Sequence, residues 1–68
     1  MIEEHIERLK EGNTLIRLTV VKGRGVKFEL PCRIIAYDRA TQYLTVYHVD
    51  EKQVYTFAIN EVEEFAPA

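Results

Sequence analysis

The sequence is poor in the residues that carry covalent and metal chemistry. Its 68 residues include one cysteine, Cys32, and no serine. A single cysteine excludes an internal disulfide and leaves too few thiols for a cysteine-rich zinc site. The two histidines, His5 and His48, have no second good ligand at helical or hairpin spacing, and no nucleophile lies beside a base. We therefore expect no catalytic residue, no metal site and no cofactor.

Long apolar runs are also missing. No stretch approaches the roughly 18 apolar residues that a membrane span needs, and no basic segment precedes an apolar run as it does in a signal peptide. The expectation is a soluble, cytoplasmic protein with no membrane partner.

The chain is too short to build a large core, and residues 1–68 are expected to form a single domain. A chain of this size buries only about 60% of the surface that its unfolded state exposes. Small scaffolds that lack disulfides and metals usually gain stability by self-association. We therefore expect a homo-oligomer.

The net charge is −2, but the charges are unevenly distributed. The segment from Arg17 to Arg39 carries six basic and two acidic residues, whereas the rest of the chain carries three basic and nine acidic residues. A basic middle segment is compatible with an anionic partner such as RNA. Ordinary solvated surface charge is the alternative interpretation.

Apolar residues at helical spacing predict a short helix over residues 2–11. Ile2, Ile6 and Leu9 form one stripe. Gly12 is expected to end the helix in the left-handed conformation. A helix this short is marginal alone, so its stripe is expected to dock onto the rest of the protein.

From residue 14 onward the apolar period becomes two, which indicates β-strands. The segment KGRG, residues 22–25, contains two glycines and predicts a hairpin. The segment DRATQ, residues 38–42, predicts a turn in which Asp38 accepts hydrogen bonds from the backbone amides ahead of it.

The predicted second strand is long, and its alternation places Cys32 and Ala36 on the inner face and Tyr37 on the outer face. Pro31 cannot donate to a ladder and marks an edge, a bulge or a bend. One helix and five short strands result, which predicts a mostly β fold. A strongly bent five-stranded barrel of the SH3 or Sm type, over about residues 14–65, is favoured because closure removes strand edges.

Three segments resemble the Sm-like family, most nearly its Hfq branch. They are LIRLTVVKG in the first strand, CRIIAYD in the second and VYTFAIN near the end. The order of a short helix, five strands and a bent second strand is also similar. The resemblance implies a homo-oligomeric ring of six or seven subunits, in which the fourth strand pairs with the fifth strand of the neighbour.

The sequence also departs from that family at informative positions. Cys32 replaces the usual glycine of the second strand, and Ala40 replaces an aromatic residue that stacks on bases. Thr56 and Phe57 replace the Lys-His pair that contacts uridine-rich RNA in Hfq. The resemblance therefore carries the fold but not that RNA site.

Apolar residues on both faces of the fourth strand indicate burial on both sides, which an interface would supply. The expected interface residues lie in the last two strands and are Tyr55, Phe57, Ile59, Val62 and Phe65.

The basic segment KGRGVK is the main candidate for binding single-stranded RNA. Its glycines allow close approach of a phosphate, and in the Hfq branch this hairpin borders an RNA-binding face. A solvated hairpin is the alternative. The full set of candidate RNA contacts is Arg17, Lys22, Arg24, Lys27, Arg39 and Tyr37.

Three functions compete on the sequence alone. The first is an RNA-binding Sm-like ring that uses the basic hairpin. The second is a ring that serves as a protein-interaction or scaffold module without RNA, which the net acidity and the changes at positions 40, 56 and 57 favour. The third is a monomeric or dimeric SH3-like module.

Overall fold

A computed structural model describes residues 2–68 and consists of one helix followed by five strands. Side chains are described from Glu4 onward, so Ile2 of the predicted stripe lies outside the described side chains. The elements are α1 (Ile2–Glu11), β1 (Ile16–Lys22), β2 (Val26–Asp38), β3 (Tyr43–His48), β4 (Gln53–Ala58), the 3-10 helix η1 (Ile59–Glu61) and β5 (Val62–Pro67).

The five strands form one antiparallel sheet in the order β4-β3-β2-β1-β5. The predicted mostly β fold with an N-terminal helix is confirmed. The predicted closure into a barrel is wrong, because β4 and β5 end the sheet on opposite sides and do not pair with each other. Two strand edges therefore stay open within the single chain.

The core lies on the inner face of the bent sheet. In register, Leu18 faces Leu30 and Phe65, while Leu44 faces Phe57, so apolar side chains from all five strands meet. Ile6 of α1 is fully buried in the same cluster. The docked helix stripe that the sequence predicts is thus confirmed at Ile6, and Leu9 packs against it.

A bulge in β2 changes the predicted alternation. The register with β3 shifts between Ile34 and Ala36, so that Ala36 faces Thr45 and Tyr37 faces the buried Leu44. A bulge adds one residue to a strand and inverts the alternation beyond it. The predicted inner position of Ala36 and outer position of Tyr37 are therefore both wrong.

Pro31 lies where pairing with β3 stops rather than at the bulge. The ladder with β3 begins at Cys32, and the carbonyl of Pro31 accepts a hydrogen bond from the amide of Val49 at 3.1 Å. The missing N–H of the proline lies on the same side as this carbonyl, so the ladder with β3 cannot continue in full past Cys32.

The turns around the sheet follow local chemistry. Asp38 Oδ1 accepts hydrogen bonds from the amides of Ala40 (2.9 Å) and Thr41 (3.3 Å), as predicted. The left-handed residue after α1 is Asn13, with φ 49°, and not Gly12 as predicted. Gly12 is tightly packed instead, because a Cβ there would lie 2.9 Å from Thr14 Oγ1.

Candidate functional site

The predicted basic hairpin joins β1 to β2, and its glycines adopt the conformations that favour glycine. Gly23 has φ +56° and Gly25 has φ +86°, and no atom lies within 4 Å of an added Cβ at either position. The backbone at the tip is therefore open to a ligand. Arg24 lies between the two glycines and is exposed.

Two of the three hairpin cations already have acidic partners in the same chain. Lys22 Nζ lies 3.3 Å from Glu61 Oε2, and Lys27 Nζ lies 3.0 Å from Glu63 Oε1. Lys22 also lies over the ring of Phe57, with its Nζ 5.3 Å from the ring centroid. An RNA phosphate would have to compete with these partners, although exposed ion pairs are individually weak.

The other candidate RNA contacts are scattered. Arg17 is exposed on the outer face of β1, opposite Pro31 and Ala66. Arg39 is exposed in the turn after β2. That turn is joined to η1 by a hydrogen bond of 2.8 Å from the amide of Ile59 to the carbonyl of Gln42.

The hairpin approaches the other end of η1. There Lys22 meets Glu61, so the short η1 helix lies between the hairpin and the turn after β2. Lys22, Arg24 and Lys27 therefore lie on one hairpin but not on one face: Lys22 lies on the groove side, and Lys27 lies on the outer face of the sheet, as Arg17 does.

Tyr37 packs partly buried against the core on the inner face. This position suits packing better than base stacking. Its RNA contact stays a prediction.

An open groove lies beside β4, where the inner face is left uncovered. Its volume is about 550 Å³, and its apolar lining includes Phe28, Leu30, Tyr55 and Phe57. The Phe57 ring lies 6.1 Å from that of Phe28 and also 6.1 Å from that of Tyr55, which is nearly parallel to it at 14°. Phe28 is 40% exposed, so the groove presents apolar surface to solvent.

One end of this groove is held by a polar cluster. The Tyr55 hydroxyl donates a hydrogen bond to Glu51 Oε1, and the amide of Glu51 donates one of 3.2 Å to His48 Nδ1. The hydrogen bond to the Glu51 carboxylate raises the pKa of the Tyr55 phenol above its ordinary value. The cluster fixes the β3–β4 turn against the groove.

The free edge of β4 can be assigned from one hydrogen bond. The amide of Ile59 bonds the carbonyl of Gln42, each one residue beyond the pair Tyr43–Ala58, which makes that pair a non-hydrogen-bonded one. Because hydrogen-bonded and non-hydrogen-bonded pairs alternate along an antiparallel ladder, Thr45–Thr56 and Tyr47–Val54 are also non-hydrogen-bonded pairs. The N–H and C=O groups of Val54, Thr56 and Ala58 therefore point away from β3, toward the open edge.

The predicted interface residues differ in how much of each side chain is exposed to solvent. Phe57 is 4% exposed and belongs to the core, whereas the other four pack partly buried against that core. The sequence prediction missed Val54, which is 59% exposed on the edge strand, and the exposed part of Phe28. Phe28 has the parity of the inner-face residues Leu30 and Cys32, but no sequence signal shows that this end of the sheet is uncovered.

Among the described side chains, residues 4–68, no group of three or more acidic, histidine or cysteine residues is arranged to hold a metal ion. None of the helices described there has both the length and the apolar character to cross a bilayer.

Comparison with models of protein families, with curated proteins and with solved structures gave no match. The assignment of a function therefore rests on the chain's own residues and geometry.

Proposed function

We propose that the protein is a subunit of an Sm-like homo-oligomeric ring that works as a protein-interaction module. In this assembly the free edge of β4 pairs with β5 of the next copy. The observation that carries the proposal is the open sheet, in which β4 and β5 are both six residues long and lie at opposite ends. Head-to-tail pairing of two such edges closes into a ring when the rotation between copies allows it.

The groove beside β4 supports the same assembly. It presents exposed Phe28 next to the edge at which Val54 and Thr56 turn their backbone N–H and C=O groups away from β3. A strand that adds to a sheet edge gains hydrogen bonds from its backbone and specificity from side chains that enter adjacent pockets. A neighbouring copy would cover both the unpaired backbone and the apolar groove, which a monomer leaves exposed to aggregation.

The ion pairs of the hairpin favour a protein partner over RNA. Lys22 pairs with Glu61 at the end of η1 and Lys27 pairs with Glu63 in β5, and Glu29 and Glu64 lie nearby on the outer face. RNA affinity depends on the number of phosphates that cations neutralise. A hairpin whose lysines already have partners supplies few such contacts.

A proline at Thr56 tests the edge pairing. The N–H of Thr56 points away from β3, so T56P removes a donor from the free edge and leaves the β3–β4 ladder intact. We expect T56P to lower the native mass measured by light scattering to that of a smaller species while the far-ultraviolet circular dichroism stays that of the folded chain.

The control is T56V, which also removes the hydroxyl that lies 3.5 Å from Thr45 Oγ1 but keeps the backbone N–H. T56V should keep the wild-type mass. An oligomer of unchanged mass in folded T56P would contradict pairing through β4.

RNA binding is the second candidate function, and the tip of the hairpin is the observation that favours it. Arg24 is exposed between two glycines whose surroundings are open, so backbone and guanidinium could approach a phosphate together. A ring would multiply this weak contact.

The triple variant K22Q/R24Q/K27Q tests RNA binding. If RNA binds at this hairpin, the variant should lose most of its affinity for single-stranded RNA at low salt, and the slope of affinity against salt should fall by about two to three. The control K10Q removes a cation from the exposed part of α1 and should not change the slope. RNA affinity that is the same in wild type and triple variant would exclude the hairpin as the binding site.

A further inference from the structure

Where β2 pairs with β3 and β3 with β4, the outer face of the sheet carries only two charged side chains among its register-paired residues, Arg33 and Asp38. Antiparallel sheets that are open on one side usually alternate apolar inward and polar outward. Here the outward members include Ile35, Tyr43 and Val54, which are 44%, 50% and 59% exposed. We call this surface the outer face; its register-paired members are Arg33, Ala36, Asp38, Tyr43, Thr45, Tyr47, Val54, Thr56 and Ala58.

The bulge in β2 determines which charges lie on this face. Arg33 and Asp38 are five residues apart, an odd spacing that would put them on opposite faces of a regular strand. Because the register shifts between Ile34 and Ala36, Arg33 pairs with Tyr47 and Asp38 pairs with Tyr43. Tyr47 and Tyr43 are four residues apart on β3, so both charges lie on the outer face, at opposite ends.

Arg33 lacks an acidic partner within the described chain. Its Nε is buried without a hydrogen-bond acceptor, and the ion pairs found among residues 4–68 involve other cations. A buried donor without an acceptor is costly. The Nε atom lies out of a partner's reach, but Arg33 as a whole is partly exposed, so the outer face fits a partner that brings an acidic group to the rest of the guanidinium and apolar surface to the tyrosines.

We propose that this partner is the outer face of a second copy of the chain. The two sheets stack face to face, and a two-fold axis lies between them. The axis runs perpendicular to the strands at the level of Thr45, so the end of the face that carries Arg33 in one copy lies over the end that carries Asp38 in the other. It brings Arg33 of one copy opposite Asp38 of the other, twice, and Tyr47 opposite Tyr43, twice. The small side chain of Thr45 lies at the axis, where the sheets approach most closely.

The two charges make the face complementary to itself. Such isologous contacts require that each residue's partner lie on the same surface of the other copy. We expect the pairing to depend on concentration and to strengthen where several copies act together. It does not depend on the β4 edge, and the two contacts can be tested separately.

Charge reversal tests the pairing. In R33E two acids oppose each other twice across the interface, and in D38R two arginines do so. Like charges opposed in this way should raise the dissociation constant about tenfold or more. Over one concentration series in an analytical ultracentrifuge, each variant alone should give half the mass that wild type reaches.

Mixing the two variants supplies the decisive control. The acid introduced by R33E then faces the arginine introduced by D38R, and the remaining wild-type charges face each other, so the equimolar mixture should regain the wild-type mass. Recovery also shows that D38R folds despite losing the turn hydrogen bonds that Asp38 accepts.

Two results would overturn the proposal. One is a mass that is equal in wild type and R33E at every concentration. The other is a mixture that stays at the mass of its separate components. If T56P leaves the mass unchanged, that result counts against the edge pairing through β4 and not against the pairing of outer faces.

Discussion

Cys32 is the most deeply buried reactive group of the chain. Its side chain is fully buried on the inner face of β2, and burial raises the pKa of its thiol from 9.0 to about 11. The thiolate is the reactive form of cysteine. Cys32 therefore acts as a small apolar core residue at neutral pH, in the position where the sequence resemblance expected a glycine.

The raised pKa of Cys32 predicts a loss of stability in alkali. Above pH 9.0 the thiol ionises in the unfolded chain while the folded chain keeps its proton until about pH 11. The unfolded state then binds fewer protons, so the free energy of unfolding falls as the pH rises through this range. Urea unfolding at several pH values should show this fall.

Cys32→Ala is the matched control for the alkaline loss. It cannot ionise, so its free energy of unfolding should fall less steeply between pH 9.0 and 11, although it is lower throughout because of the smaller side chain. Identical slopes in both proteins would show that the thiol titrates alike in the folded and unfolded chains.

Single residues were predictable where local chemistry decides their role. Asp38 followed by small and polar residues predicts the turn that forms, because a carboxylate can bond the amides just ahead of it. The residue in the left-handed conformation after α1 is Asn13, whereas Gly12 packs so close to Thr14 that a side chain there would clash. That contact depends on packing that a local pattern does not contain.

At the scale of elements, α1 is held by its docking onto the sheet. Helices of ten residues are marginal in isolation, and the contacts of α1 are with β2 and the core. Ile6 supplies the buried side chain, and His5 places its ring 5.6 Å from that of Phe65 of β5.

Ile6→Ala should therefore cost about 2–5 kcal/mol of the free energy of unfolding, the range found for buried large-to-small substitutions. Lys10→Ala, on the exposed part of the same helix, should stay within about 0.5 kcal/mol of wild type. Urea unfolding of both variants measures the difference. Equal and small losses would mean that α1 contributes little to the core.

Within the strands, the sequence predicted which side chains face inward only up to the bulge in β2. Alternation placed Cys32 on the inner face correctly, because the two-residue period follows directly from strand geometry. It failed after Ile34, because no glycine or proline at that point marks the bulge, and Tyr37 turned inward. The bulge decides the composition of the outer face, so that surface could not be predicted.

At the scale of the whole molecule, the class of fold was predictable and its closure was not. One helix and five strands follow from apolar periodicity and turn residues. Whether β4 meets β5 in the same chain depends on the bend of the sheet, which no local pattern specifies. The open edges and the groove beside Phe28 follow from this lack of closure.

The sequence predicted which basic residues form the hairpin but did not predict their acidic partners. Lys22, Arg24 and Lys27 do lie together on one hairpin, because they are neighbours in the chain. Their acidic partners Glu61 and Glu63 are more than thirty residues away in sequence and arrive through the pairing of β1 with β5. Only the sheet order reveals that two of the three hairpin cations have acidic partners.

The native mass of the wild-type chain tests the central claim most directly. Light scattering at low salt should give about 48 kDa for six or 56 kDa for seven copies of the 8.0 kDa chain, or a doubled value where the outer faces also pair. Adding short single-stranded RNA should leave that mass unchanged if the ring is a protein-interaction module. A mass of 8.0 kDa at every concentration would contradict both the ring and the pairing of β4 with β5 of the next copy.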